Sequence, residues 1–232
     1  MSATHIFRMD RIGASDTIVV RDPFPFIVAT RTVAEDLKPA LDEDFKHFEG
    51  TGYLPYAGGD ETVPAVRKLV DEITSKEVAD ALGDKLGIDR LSQYPTLVTV
   101  ARNFNRRHGT IHTDSKSKIA TALVYLNDSW NGESGGCLRM LRSADNIDDT
   151  VVPEVPPVFG NFVIFRRTDN SFHGHLPFEG KRHVIQIAWV VSQAEIDRKE
   201  KRGHLSSFLK GVFGSFDKKV GAGRGRNASH LK

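Results

Sequence analysis

The sequence predicts a mainly β protein with flanking helices, of the α+β class. From residue 96 onward, short β-branched and aromatic runs alternate with turn-rich segments, a spacing typical of a β-sandwich or barrel. Before that point, residues 34–48 and 63–82 carry apolar side chains at helical spacing. A length of 232 residues suits one domain with appendages. We therefore expect a helical N-terminal part at 30–90 followed by a β core at 95–192.

The N-terminal half is predicted to contain short strands and then helices. Residues 17–33 hold two β-branched runs around a proline-containing turn, which indicates two strands. The first turn of the helix predicted at 34–48 contains acidic residues, which the helix dipole stabilises at this end. Residues 50–61 are rich in Gly and Tyr and form either a lid or a plain connector. The second helix runs over 63–82, unless a separate short helix over 75–87 replaces its end.

Five β-branched or aromatic runs predict the strands of the β core, and the residues that follow differ from them in composition. Residues 193–232 are predicted to form a C-terminal helical extension with a flexible tail. Within it, 204–216 has apolar residues at near-helical spacing; packing on the protein is the default, and peripheral membrane or partner contact is the alternative. The predicted strand runs are 96–104, 119–127, 137–141, 159–167 and 182–191.

Composition narrows the classes of partner and compartment. Hydrophobic residues make up 39% and charged residues 27% of the chain, and the net charge is only +2. This balance gives no reason to expect a nucleic-acid partner. The single cysteine, Cys137, allows no intrachain disulfide, and no apolar run approaches a membrane span or a secretory signal. We interpret the protein as cytoplasmic, and its oligomeric state cannot be predicted.

A first candidate metal-binding pair is His112-Thr113-Asp114, directly after a glycine turn. Residues i and i+2 of a strand point to one face, so the imidazole and the carboxylate can converge on a metal. The pair is weak evidence by itself, because a chain with nine histidines yields a His-X-Asp sequence readily by chance.

A second candidate block, residues 170–190, offers His173, His175 and His183 together with Arg182. Two histidines and one carboxylate form the facial triad of non-haem iron(II) oxygenases, which leaves coordination positions open. A 2-oxo acid takes two of these positions and O2 the third. The far carboxylate of that acid needs a planar cation, and the fork of an arginine matches it.

Taken together, these motifs resemble the Fe(II)/2-oxoglutarate-dependent oxygenase superfamily, and within it the prolyl-4-hydroxylase-like branch. The resemblance covers about residues 20–192 and rests on His-X-Asp, the distal histidine, the arginine nine residues later and a Gly-Gly hairpin at 135–136, in that order. It implies a double-stranded β-helix (jelly-roll) core with the N-terminal helices packed on one sheet. Residues 1–192 would then form the oxygenase domain.

The resemblance also implies roles for individual residues. His112, Asp114 and His173 match the metal ligands; the nine-residue spacing to Arg182 favours His173 over His175, whose role stays open. Arg182 and Tyr125 match the residues that bind the 2-oxoglutarate C5 carboxylate. Two further positions differ from the pattern. Gln186 matches a position where relatives often have a small hydroxyl residue that contacts the cosubstrate. Phe104 falls near the position where relatives have a tyrosine that faces the site.

The implied activity is hydroxylation of a C–H bond with Fe(II), 2-oxoglutarate and O2, giving CO2 and succinate as coproducts. The substrate is not identified; a glycan or small molecule is the alternative to a prolyl peptide. Arginines 106, 107, 139, 142, 166 and 167 flank the predicted site and are either solvated hairpin ends or a basic rim for an anionic substrate. An alternative of another class is a cupin-like metal-binding module without oxygenase activity, but such a module has no need of Arg182 and Tyr125.

Overall fold

The computed structural model describes residues 5–56, 59–131 and 135–198. Four α-helices, three short 3-10 helices and nine strands are described over their whole length within these ranges, and residues 193–198 are also helical. The helices are α1 (Met9–Ile12), α2 (Lys38–Asp44), α3 (Pro64–Thr74) and α4 (Lys76–Leu86), with 3-10 turns at Glu35–Leu37, Phe45–His47 and Leu91–Gln93. The strands are β1 (Ile18–Val20), β2 (Phe26–Ala29), β3 (Leu54–Pro55), β4 (Thr96–Phe104), β5 (Lys118–Tyr125), β6 (Arg139–Met140), β7 (Phe162–Arg166), β8 (His173–Gly174) and β9 (Gly180–Val190).

The strands form two sheets that face a common interior. Seven strands make an antiparallel sheet in the order β1-β2-β7-β5-β9-β4-β3, and β6 pairs with β8 in a second, smaller sheet. Because several neighbours in the large sheet are far apart in sequence, the chain crosses between the two sheets. This arrangement is a double-stranded β-helix with helices packed on one sheet, and the predicted fold class is confirmed.

The two faces of the large sheet have different partners because strand side chains alternate. On β5, Ala120, Ala122 and Val124 join the apolar core beneath the helices, together with Leu69 and Leu82 from α3 and α4. The intervening residues point to the interior between the sheets, where Leu123 and Tyr125 belong to a second apolar cluster. Tyr125, the predicted site residue on β5, therefore faces the interior between the sheets.

The helical segment at 63–86 is broken at Ser75. The Ser75 side chain accepts a hydrogen bond from the Val78 backbone N–H at 3.4 Å, which caps the N-terminus of α4. The apolar stripe continues across the break because both helices bury residues on the same sheet. The sequence allowed either one continuous helix over 63–82 or a separate short helix over 75–87, and the structure has the separate helix.

The smaller sheet is shorter than the sequence patterns suggest. The run predicted at 137–141 contains only the two-residue β6, and isolated bridges such as Leu138 to Val155 and Leu141 to Thr150 accompany it. Residues 137–141 are all buried, so the apolar pattern of this run reflects burial more than regular strand pairing.

The chain divides into two compact units, Met1–Ser192 and Gln193–Lys232. All of the named elements belong to the first unit. The segment at 204–216 and most of the predicted C-terminal extension lie outside the described residues. Within the described ranges, no helix combines the length and apolar character needed to cross a membrane.

Candidate active site

The structure brings together the three residues predicted to bind metal. His112 lies after the turn that follows β4, and His173 begins β8. The two backbones form a reciprocal pair, in which each N–H donates to the other carbonyl at 3.0 Å. One ligand atom from each of His112, Asp114 and His173 lies within 4.8 Å of the others. Backbone pairing therefore holds two side chains that are 61 residues apart in sequence within reach of one ion.

Both histidines of this group are oriented by backbone carbonyls. Nδ1 of His112 lies 2.8 Å from the Thr110 oxygen, and Nδ1 of His173 lies 3.0 Å from the Ser171 oxygen. Since a carbonyl only accepts, each Nδ1 must donate its proton. In a neutral ring this leaves the Nε2 lone pair free, which is the usual arrangement of a histidine metal ligand.

The protonation states also suit a cation. Burial alone would raise the pKa of Asp114, but the charges of Lys118 and His173 and hydrogen bonds from Lys118 and Thr121 lower it to about 2. Lys118 Nζ donates to one carboxylate oxygen at 2.7 Å and Thr121 Oγ1 to the other at 2.6 Å. Burial lowers the pKa of His173 to about 4. At neutral pH the group therefore offers an ionised carboxylate and a neutral imidazole from these two residues.

Arg182 is almost completely buried beside this group. Its side chain is in β9 and only 1% exposed. Nε donates to the Gly136 carbonyl at 2.8 Å, Nη2 donates to the Tyr125 hydroxyl at 3.3 Å, and the guanidinium lies 4.8 Å from the Phe104 ring centroid. No carboxylate of the described residues pairs with it. A buried charge without a counter-ion is costly, so the position is suited to an anionic ligand.

The other two predicted cosubstrate residues lie near Arg182. Tyr125 is fully buried, and burial raises the pKa of its hydroxyl, which stays protonated. Gln186 lines the same cavity, and its amide donates to Thr99 Oγ1 at 3.2 Å across the β4–β9 pair.

One cavity of about 390 Å³ connects these groups, which is within the size range of small-molecule sites. His175 lines it, but its ring lies apart from the metal-binding group: Nδ1 donates to the Leu176 carbonyl at 2.8 Å, and the ring meets Phe104 edge-on. His183 lines a different cavity and stacks on Phe45, so it does not belong to the metal-binding group. Further lining residues of the connecting cavity are Tyr53, Arg107, His108, Thr110, Thr121, Leu123, Leu138 and Phe165.

Most of the arginines considered for a basic rim have structural partners. Arg139 pairs with Glu154 at 2.9 Å and with Asp148, and Arg167 pairs with Asp169 at 2.7 Å. Arg142 pairs with Asp149 at 3.4 Å, and Arg166 donates to the Gly87 carbonyl. Arg107 is the arginine of this set that lines the cavity, and no carboxylate within the described ranges pairs with it.

Sequence reasoning did not assign three contributors to the site. Thr121 and Lys118 hold the Asp114 carboxylate, and strand parity alone could have identified Thr121, because it shares a face of β5 with Tyr125. Tyr53 comes from the segment interpreted as a lid or connector, and no local motif marks it. Its neighbours are tied to β4, since the Gly52 N–H donates to Asn103 and the Tyr56 N–H to Val98.

Comparison with known proteins agrees with this geometry. Residues 98–191 match the model of the 2OG-Fe(II) oxygenase superfamily. A prolyl 4-hydroxylase from Pseudomonas putida is similar in structure, with a TM-score of 0.52, 20% identity and coverage of 71% of this chain and 84% of that one. A prolyl 4-hydroxylase from Phytophthora capsici has a TM-score of 0.53 and 20% identity, covering 74% of this chain and 65% of that one. A Trichoplax adhaerens prolyl hydroxylase has a TM-score of 0.50 and 15% identity, covering 71% and 83%. No curated protein sequence matches the chain.

The superfamily implies Fe(II), 2-oxoglutarate and O2, and the residues present fit these groups. Two imidazoles and a carboxylate suit Fe(II), and their ligand atoms lie close together. The buried and unpaired Arg182 suits a dicarboxylate. The match over 98–191 begins within β4, extends past the end of β9 and contains all six predicted site residues. Residues 98–191 therefore match the 2OG-Fe(II) oxygenase superfamily, and the core that they form is folded like that of the prolyl hydroxylases.

Proposed function

We propose that this enzyme hydroxylates a C–H bond of its substrate and forms CO2 and succinate from 2-oxoglutarate. In this proposal His112, Asp114 and His173 bind Fe(II), and Arg182 and Tyr125 bind the C5 carboxylate of 2-oxoglutarate. Gln186 contacts the cosubstrate from the neighbouring strand. The observation that carries the proposal is a buried arginine without a carboxylate partner, which lines one cavity together with the two histidines of the His-Asp-His group.

The bound iron and cosubstrate supply the oxidising chemistry, in which one oxygen atom of O2 enters the C–H bond and the other enters succinate. The protein binds, orients and excludes water. Carbonyls fix the two imidazoles so that Nε2 faces the metal position. Lys118 and Thr121 hold the Asp114 carboxylate in its ionised form. Apolar side chains, among them Leu123, Leu138 and Phe165, line the cavity and limit the access of water.

A metal-binding module without oxygenase activity explains the site less well. Such a module needs the three ligands but gains nothing from a buried guanidinium. Leaving Arg182 unpaired costs stability unless an anion binds there during the working cycle. The oxygenase proposal accounts for both features.

The experiment is an anaerobic titration of the purified protein with Fe(II) and 2-oxoglutarate. We expect a visible metal-to-ligand charge-transfer band, and succinate when air is admitted. His173→Ala should lose the band, whereas His47→Ala, which changes an exposed histidine, should keep it. A wild-type protein that gives neither band nor succinate would overturn the proposal.

For the substrate we propose an anionic compound: an acidic peptide, a glycan carrying acid groups or a small acid. Arg107 supports this choice because it lines the cavity without a carboxylate partner in the described ranges, beside His108. The lining residues of the cavity include no Asp or Glu. Peptides remain within the proposal, since one structure of similar fold is a prolyl hydroxylase in complex with a peptide fragment.

Substrate-stimulated succinate formation tests this choice. Proline peptides with and without acidic residues, and sugar acids beside their neutral sugars, form the panel. We expect only anionic compounds to stimulate turnover, and Arg107→Ala to raise their KM about tenfold, the effect of losing about 1.4 kcal/mol. Arg106→Ala is the matched control, because that neighbour does not line the cavity. Stimulation by neutral compounds alone would contradict the proposal.

A further inference from the structure

Tyr53 lines the cavity from a segment about forty residues before β4. The segment is held against β4, the neighbour of β9. Leu54 and Pro55 pair with Val100 and Thr99, and the Gly52 N–H donates to the Asn103 carbonyl at 2.8 Å. Backbone hydrogen bonds on both sides of Tyr53 therefore fix where its side chain starts.

The ring of Tyr53 packs on the wall of the cavity formed by Phe104. Their ring centroids are 5.5 Å apart at 89°, and the Arg182 guanidinium lies 4.8 Å from the centroid of the same Phe104 ring. Phe104 itself offers no polar group. It therefore acts as a platform that brings the phenol of Tyr53 and the guanidinium of Arg182 into one part of the cavity.

Two phenols accompany this one guanidinium. The Tyr125 hydroxyl accepts from Arg182 Nη2 at 3.3 Å. Burial raises the pKa of Tyr53, and the charge of Arg182 opposes this effect. Tyr53 lines the cavity and is 38% exposed as a whole, so part of its ring also faces solvent. Both hydroxyls keep a proton to donate, and neither has an acceptor for it within the described ranges.

Three donor groups, one guanidinium and two phenols, thus lie near one another, and among the described residues no carboxylate accepts hydrogen bonds from them. A carboxylate offers about four acceptor positions on two oxygens, enough for a guanidinium and two phenols. Neutral hydroxyl donors can stabilise a buried carboxylate without adding further charge to the site. The donor set is matched to one carboxylate.

We propose that Tyr53 is a direct ligand of the C5 carboxylate of 2-oxoglutarate, donating its hydroxyl proton beside Arg182 and Tyr125. This inference rests on the proposed function of the site. It makes the segment before β3 part of cosubstrate binding and gives Tyr53 a second task, since its exposed edge separates the carboxylate from solvent. The hydroxyl absent at Phe104 is supplied from the ring packed against it.

The test is Tyr53→Phe, which keeps the ring on Phe104 and removes only the hydroxyl. In anaerobic titrations that follow the charge-transfer band, we expect the Kd for 2-oxoglutarate to rise about 10- to 100-fold, as for one lost hydrogen bond to a charged group. The affinity for Fe(II) should not change. Pyruvate lacks the distal carboxylate, so its Kd should be the same in wild type and variant. A general disturbance of the cavity would weaken both acids instead.

Two further variants sharpen the result. Tyr56→Phe removes a buried hydroxyl that has no hydrogen-bond partner from the same segment, outside the cavity, and should bind 2-oxoglutarate like the wild type. Tyr53→Phe combined with Phe104→Tyr returns a hydroxyl to the adjoining ring and should recover most of the affinity.

The outcomes separate this inference from the proposed function. If wild type shows the band and Tyr53→Phe binds 2-oxoglutarate with unchanged affinity, the role of Tyr53 is wrong while the oxygenase function stands. If Tyr53→Phe weakens pyruvate and 2-oxoglutarate equally, the residue only shapes the cavity and the inference is again wrong. If the wild type shows no band, both fail.

Discussion

Arg182 illustrates how one buried residue can serve ligand binding at the expense of stability. Its partners are the Gly136 carbonyl, the Tyr125 hydroxyl and two aromatic rings, all of them neutral. Arg139 is buried to a similar extent but pairs with two acidic side chains. The two arginines are therefore predicted to respond differently to removal of their charge.

Arg182→Met should abolish most cosubstrate binding and leave the apo protein nearly as stable as wild type. Losing a buried charge partner typically costs 2–5 kcal/mol of binding, so we expect the Kd for 2-oxoglutarate to rise about 30-fold or more. The lost hydrogen bond to Gly136 offsets the relief of an uncompensated charge, and the Tm should stay within about 4 °C. Anaerobic titration and calorimetry measure the two effects.

Arg139→Met is the control for stability. It leaves Glu154 and Asp148 without their partner, and both are partly exposed, so we expect a loss of about 1–3 kcal/mol with unchanged 2-oxoglutarate affinity. A larger loss of stability in Arg182→Met than in Arg139→Met would show that Arg182 is a structural residue.

Spacing in the sequence distinguished His173 from His175, and the structure explains why the distinction is needed. Both residues hydrogen-bond to the segment 109–112, His173 with His112 and His175 with Gly109. They lie on one face of the chain, so residue type and parity could not separate them. What separates them is register: His173 is opposite His112, whereas His175 is opposite the turn.

At the scale of elements, that turn depends on Gly109. Its φ is +99°, and a Cβ built on it would overlap the His175 ring. Three residues later the same turn presents His112. The conformation of this turn therefore determines where one predicted metal ligand lies.

Gly109→Ala should destabilise the protein and weaken Fe(II) binding. A side chain at positive φ costs about 1–3 kcal/mol, and the overlap with His175 adds to this, so the Tm should fall by several degrees at about 2–4 °C per kcal/mol. Gly109→Ala with His175→Ala should recover only the part due to overlap. Gly13→Ala is the control, because its φ is −103° and the nearest atom is 3.8 Å from a built Cβ. Wild-type Tm and Fe(II) affinity in Gly109→Ala would contradict this account.

Elements were predictable from the sequence where one periodicity extended over a whole strand or helix. The long strands β4, β5 and β9 and the helix at 34–48 follow their patterns closely. The patterns failed in two places for identifiable reasons. The apolar stripe of α3 and α4 continues through the break at Ser75, because both helices cover the same sheet. The smaller sheet is built from two-residue strands and single bridges, which are too short to show a period.

At the scale of the whole molecule, the candidate site combines residues whose order and spacing mark them in the sequence with Tyr53, which no sequence pattern marks. The ligand group and Arg182 lie between 112 and 182, where spacing can be compared with a known pattern. Tyr53 reaches the cavity only because β3 pairs with β4, and pairing between distant segments leaves no local pattern. Long-range strand pairing is thus the part of this site that required the structure.

Three buried histidines give the whole fold a predictable response to acid. Burial lowers the pKa of His173, His175 and His183 to about 4, against an ordinary value of 6.5. The unfolded chain therefore binds more protons than the folded protein between these values. Stability should fall as the pH drops from 6.5 towards 4, by up to about 1.4 kcal/mol per pH unit for each histidine.

His183→Phe isolates one of these contributions away from the candidate active site. His183 stacks on Phe45 at 4.5 Å, and its Nε2 is buried without a hydrogen-bond partner, so a phenyl ring keeps the packing and loses little at neutral pH. Because the variant cannot take up this proton on unfolding, it should lose less stability in acid. We expect the Tm of the variant to rise relative to that of the wild type as the pH falls from 7 to 5, by about 2–4 °C for each kcal/mol of relative stability. Calorimetry of metal-free protein measures the difference, and His47→Phe, at an exposed position, should follow the wild type. Parallel Tm curves for His183→Phe and wild type would mean that His183 is not held neutral by the fold.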